Sequence, residues 1–177
     1  MAWESAVFDL LDDLEQQAEA AFHAERGAEL EDRARSEYAE VPLAGRLMAS
    51  VGRDLVVGLP GLGAVAGHLD RVGAGWLLLR GPAQDWVVPQ AALGAVEGLS
   101  DRALPEVAWP RLARLGLRSP LRRLADARER CLLHLRDGSR HDGRLGRVGQ
   151  DFVEVVVGPG RVLVVPLDAL VAVQSRD

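Results

Sequence analysis

The stretch L-D-R-V-G-A-G-W-L-L-L (Leu69–Leu79) returns 76 positions later as L-G-R-V-G-Q-D-F-V-E-V (Leu145–Val155). The agreement extends outward in order. Gly67, Leu69, Arg71, Val72 and Gly73 align with Gly143, Leu145, Arg147, Val148 and Gly149 without a gap. After a one-residue insertion, Val87-Val-Pro-Gln-Ala-Ala-Leu-Gly-Ala-Val96 aligns with Val164-Val-Pro-Leu-Asp-Ala-Leu-Val-Ala-Val173. Upstream, Leu55–Leu59 matches Cys131–Leu135, and Pro42-Leu43 matches Pro120-Leu121 with two residues of slippage. Shared Val/Gly bias gives scattered identities, whereas an ordered series points to a tandem repeat.

Each repeat reads as a short helix followed by about five short strands. Apolar β-branched runs are punctuated by Gly-Pro, Val-Gly-Ala-Gly and Asp-Gly, the chemistry of tight turns. Gly67 and Gly143 fall inside the second strand of each unit, where a sharp bend needs a residue without Cβ. Val-Pro-x-x-Ala-Leu predicts a single 3₁₀ turn before the last strand. Five short strands bent round one core lose most of their open edge, which favours a small barrel. In the opening phrase, Leu and Val are expected to face the core, and Arg71 and Arg147 the solvent.

The chain before the repeats is different. From Trp3 to about Tyr38 there is no proline and much Ala, Glu, Leu and Gln, which predicts a helix. Trp3, Val7, Leu10, Leu11, Leu14, Ala18, Ala21 and Phe22 form one apolar stripe that fades beyond Gly27. Unbroken, this helix would span about 50 Å at 1.5 Å per residue, more than a small barrel can cover. The expected organisation is therefore an acidic N-terminal helix (1–41), a first barrel repeat (42–97), an Arg/Pro-containing linker (98–118) and a second barrel repeat (119–177). The fold class is α+β: a long N-terminal helix and two tandem five-stranded small β-barrels of Sm-like or SH3-like type, each preceded by a short helix.

Helix, bent strand with Gly-x-Leu, hairpin, long third strand and short final strand: this order resembles the Sm-like (LSm) family. The resemblance covers 42–97 and 120–174 and rests in the second unit on Leu135-Arg-Asp-Gly138 followed by Gly143-Arg-Leu145. It implies a five-stranded open barrel capped by an N-terminal helix, assembly through edge strands, and in many members RNA binding. The family's uridine-binding Asp, Asn and Arg-Gly positions hold Gly149, Val153 or Glu154, and Pro166-Leu167 here, so none of those residues carries over. The opening Trp3–Glu15 segment also resembles a group of uncharacterised actinobacterial proteins.

Net charge is −5 over 177 residues, but it is polarised. Residues 1–41 hold 12 Asp/Glu against 3 Arg, and residues 111–147 hold 11 Arg against 4 Asp/Glu. No segment reaches the roughly 20 apolar residues that span a bilayer, and the start lacks a basic signal-peptide region, so no membrane association and a cytoplasmic location are expected. Cys131 is the single cysteine, which excludes an intrachain disulfide and a cysteine-based zinc site; it is expected to pack inside a strand.

The remaining chemistry is sparse. Gly61-Leu-Gly63-Ala-Val-Ala-Gly67 imitates a phosphate loop, but its repeat partner makes the following segment a strand, where no helix N-terminus is offered to phosphate. His23, His68, His134 and His141 lack metal-ligand spacing. His134 is expected to point out of its strand, and the two Asp-Gly pairs near it read as turns rather than as an acid/base group. The expectation is no enzyme: no catalytic residue, no metal site, no cofactor.

Two binding readings follow. The first is a non-catalytic adaptor or assembly protein, with the barrels as scaffold and Trp3, Val7, Phe8 and Leu11 reaching a protein partner or a second copy in a homo-oligomer. The second is an RNA- or DNA-binding regulator using Arg111, Arg114, Arg118 and Arg122 on one helical face, with Arg140, Arg144 and Arg147 beside them. Trp109 is expected to anchor the two barrels together.

Overall fold

The computed structural model describes residues 32–176 together with Glu19, Phe22, His23, Arg26, Gly27, Glu29 and Leu30. The chain divides into two units, 1–41 and 42–177. In the first, residues 32–39 form a helix, α1. Arg33 and Glu37 pair one turn apart at 3.5 Å, and the Arg26 guanidinium lies 5.0 Å from the centre of the Phe22 ring. Trp3, Val7, Phe8 and Leu11 lie outside the described residues.

The second unit opens with a short helix, α2 (Leu43–Met48). Strands β1 (Asp54–Leu59), β2 (Gly63–Gly73), β3 (Trp76–Arg80), β4 (Asp85–Pro89) and β5 (Ala95–Glu97) follow. Two 3₁₀ turns, Glu106–Ala108 and Arg111–Arg114, lead to helix α3 (Arg118–Ala127). Strands β6 (Arg130–Leu135), β7 (Arg140–Val148), β8 (Phe152–Gly158), β9 (Arg161–Pro166) and β10 (Leu170–Ser175) complete the chain.

Many local expectations are met. The two Val-Pro-x-x-Ala-Leu segments form 3₁₀ turns at Gln90–Ala92 and Leu167–Ala169. In β1 the pattern alternates, burying Leu55, Val57 and Leu59 as a half-buried strand should. Gly67 and Gly143 lie inside β2 and β7. A Cβ on Gly143 would stand 2.5 Å from the Val156 carbonyl oxygen, so the close approach of β8 requires a glycine. Cys131 is fully buried in β6.

The barrels are not present. All ten strands form one antiparallel sheet in the order β5-β1-β2-β3-β4-β10-β6-β7-β8-β9, which closes neither on itself nor into two separate five-stranded barrels. This overturns the Sm-like resemblance and the tandem-barrel fold class, together with the barrel-based adaptor function drawn from them. The reason lies in one pairing. β4 pairs with β10 through Val87–Val173 and Trp86–Gln174, so the backbone ladder crosses from one half of the chain to the other.

The halves nevertheless run in the same internal order, fifth strand, first, second, third, fourth. Two apolar clusters underlie them, and side chains cross the seam. Trp76 and Val87 of the first half pack among Leu133, Val153 and Leu170, while Val171 and Ala172 of β10 pack among Leu55, Val57 and Leu69. Trp109 packs on the first cluster alone, its indole N–H donating to the Leu104 carbonyl at 2.8 Å, so it does not join the halves.

Smaller departures have local causes. α3 begins at Arg118 with no side-chain cap, so Ser119 and Pro120 lie in its first turn, where a missing N–H costs nothing. Asp137-Gly138 is a turn, with Gly138 at φ 83°, but Asp142-Gly143 is strand.

Candidate interaction edge

An open sheet has two ends, here β5 and β9. β5 is three residues long, whereas β9 carries Arg161-Val-Leu-Val-Val-Pro166. On β9 the alternation is incomplete. Val165 is buried, but Val162 is 53% and Val164 62% exposed, with Val156 of β8 beside Val162 at 43%. Residues two apart on a strand share a face, so these valines form an uncovered apolar strip at a free edge.

The internal repeat shows what such a strip looks like when covered. β3–β4 pairs Trp76 with Pro89 and Leu79 with Trp86; β8–β9 pairs Phe152 with Pro166 and Val155 with Leu163. Val164 therefore stands where Val87 stands. Val87 is 6% exposed because β10 lies against it, while Val164, with no strand beyond it among the described residues, is 62% exposed. Pro89 is buried and Pro166 exposed for the same reason.

At the covered seam, polar groups are satisfied as well as apolar ones. The Gln174 side-chain amide donates to Gln84 Oε1, and the Asp85 backbone N–H donates to Ser175 Oγ at 2.8 Å. His134, expected to face outward, is only 5% exposed; its Nε2 lies 2.8 Å from Gln174 Oε1 and its ring lies against Trp86. Burial pushes the His134 pKa down from its ordinary value, with Arg140 adding to the effect and the Gln174 hydrogen bond opposing it. Arg136 also ties the halves, donating to the Ala91 and Asp168 carbonyls at 3.0 and 2.6 Å.

The seven arginines proposed for nucleic acid fall on a 3₁₀ turn, helix α3 and strand β7. Arg111 and Arg114 belong to a 3₁₀ turn, and Leu115 is extended at ψ 126°, so the helical face expected to run on to Arg118 and Arg122 is broken. Arg122, Arg144 and Arg147 border a cleft of about 560 Å³ between α3 and β7–β8. There Arg147 is held by the Glu154 carboxylate at 2.8 and 3.0 Å, which keeps Glu154 below the usual carboxylate range. Arg140 is at the other end of β7, roughly 20 Å away at the rise of a strand. The continuous helical face expected from Arg111 to Arg122 is therefore not formed.

Of the acid/base group considered near His134, Asp137 is engaged by the turn: it accepts from the Ser139 N–H at 2.9 Å and the Ser139 hydroxyl at 2.6 Å, which lower its pKa. Asp142 accepts from Arg130 at 2.7 Å and also pairs with Arg176. His134 turns away from both, into the seam. The Gly61–Gly67 segment is a turn and the start of β2, as its repeat partner implied.

A second open feature lies at the opposite end of the sheet. Beside β5, a groove of about 570 Å³ is bordered by Asp54, Val56, His68, Arg80, Glu97 and Gly98. Asp54 holds His68 at 3.0 Å, and Glu97 points into solvent. Sequence reading found neither edge. Val162 and Val164 look like ordinary core valines until the neighbouring strand is known to be missing.

No protein-family model matches the chain, and no curated protein matches it. No helix among the described residues is long and apolar enough to cross a membrane.

Proposed function

We propose that the protein is a non-catalytic association module that works by accepting a β-strand from another chain at its β9 edge. The observation that carries this reading is the contrast between Val87 and Val164, equivalent positions that differ from 6% to 62% exposure. Edge strands in soluble proteins are blunted by charge, proline, bulges or a covering segment. β9 has one charge at its start and one proline at its end, with four apolar residues between them. Strand addition supplies main-chain hydrogen bonds for affinity and side-chain contacts for selectivity, which suits a strip of this kind. The reading requires neither barrels nor the N-terminal segment.

Backbone hydrogen exchange tests it. In the isolated protein, amides of residues 161–166 should exchange faster than those of β3 or β6; in complexes captured from native lysate they should become protected. Val162→Lys with Val164→Lys changes only exposed side chains, so the fold should persist while capture is lost. Complexes in which residues 161–166 exchange as fast as in the isolated chain would overturn the reading.

A further inference from the structure

Resting on that reading, we infer that the strand added at β9 is β5 of a second copy, joined head to tail and selected by an ion pair between Arg161 and Glu97. The pattern is already present inside the chain. The fourth strand of the first half, β4, pairs with the fifth strand of the second half, β10. What remains unpaired among the described residues is the outer side of the fourth strand of the second half, β9, and the outer side of the fifth strand of the first half, β5.

The equivalence holds residue by residue. β10 pairs Gln174 with Leu132 of β6, and β5 pairs Glu97 with Val56 of β1, so Glu97 stands where Gln174 stands. Counting back from the Trp86/Leu163 equivalence, Arg161 stands where Gln84 stands. The seam hydrogen bond between Gln174 and Gln84 therefore maps onto Glu97 and Arg161, two opposite charges. Both are exposed, and neither side chain has an ion-pair partner among the described residues of its own chain.

The apolar contacts map in the same way. Val87–Val173 becomes Val164 of one copy against Val96 of the other, which covers the most exposed valine of β9. Trp86 against His134 becomes Leu163 against Gly58, a smaller pair. The groove beside β5 is bordered by Glu97 and Gly98, the counterparts of Gln174 and Ser175, which in the second half meet residues 84–86. Gly98 has no hydroxyl to replace Ser175 Oγ, so Arg161–Glu97 is the side-chain polar contact that remains. Such an interface joins unlike surfaces, so copies add in series until a ring closes or a filament grows.

The test uses sedimentation velocity on the full chain over a concentration series. The wild type should self-associate, more weakly as salt rises. Arg161→Glu alone and Glu97→Arg alone each place like charges in the interface and should weaken association roughly tenfold or more. Mixing the two single variants regenerates one native and one reversed pair, and the double variant regenerates reversed pairs; both should restore assembly. A wild type that stays monomeric at all concentrations overturns this inference, as does association unaffected by either single variant. If in that case residues 161–166 are still protected in complexes with another protein, the strand-accepting reading stands; if they are not, both fall.

Discussion

The indole of Trp86 on β4 lies against the imidazole of His134 on β6, ring centroids 5.6 Å apart and planes inclined by 33°. The two strands are not neighbours: β10 runs between them, and its Gln174 accepts at Oε1 from His134 Nε2 while its amide N–H donates to Gln84. Side chains of three strands thus meet where the two halves share a ladder, and one of them is a titratable imidazole.

Stability should fall in mild acid because of this residue. The folded-state pKa of His134 is lowered from 6.5 by burial, so the unfolded chain takes up a proton more readily than the folded one. Its effect is absent well above 6.5; stability is lost as pH falls below 6.5 towards the folded pKa, and the loss then levels off. Urea denaturation from about pH 8 to about pH 5 measures the slope. His134→Gln should flatten it, and an unchanged slope in that variant would assign the acid sensitivity elsewhere.

Gly73 and Gly149 are needed for space rather than for backbone freedom. A Cβ on Gly73 would stand 2.2 Å from Trp76 Nε1, which donates to the Leu115 carbonyl at 2.7 Å, and a Cβ on Gly149 would stand 2.4 Å from the Phe152 ring. Gly73→Ala and Gly149→Ala should each cost about 1–3 kcal/mol in chemical denaturation. Gly158→Ala, with nothing within 4 Å and no positive φ, should be neutral within about 0.5 kcal/mol.

Ser50 is fully buried, and its hydroxyl links two segments by donating to the Arg46 carbonyl at 2.7 Å and accepting from the Ser100 N–H at 2.8 Å. Ser50→Ala leaves the Ser100 donor without an acceptor and should destabilise by about 1–3 kcal/mol. The same variant should speed amide exchange at Ser100 before it affects β6 or β7.

Cys131 should be inert in the native protein. Burial, with the charges of Glu129 and Asp142, pushes its thiol up to about 11, so little thiolate exists at neutral pH and none of it faces solvent. Native protein treated with iodoacetamide at about pH 8 should remain unmodified over hours and react at one site once unfolded in urea. Rapid native labelling would show that β6 opens readily.

Strand positions, hairpin glycines and both 3₁₀ turns were legible in the sequence because each is set within a few residues. Alternation buries Leu55, Val57 and Leu59, proline starts the 3₁₀ turns, and Gly143 leaves room for the Val156 carbonyl. The repeat extended that local information by showing each pattern twice. It could not say what lies beside β4. The side of a strand that faces its neighbour offers the same N–H and C=O groups to any strand, so closure of each half and a continuous sheet are equally consistent with the pattern of one repeat. The pairing of Trp86 with Gln174, far apart in the chain, decides between them. It buries His134, draws Val87 into the core and leaves Val164, its counterpart in sequence, at the open edge.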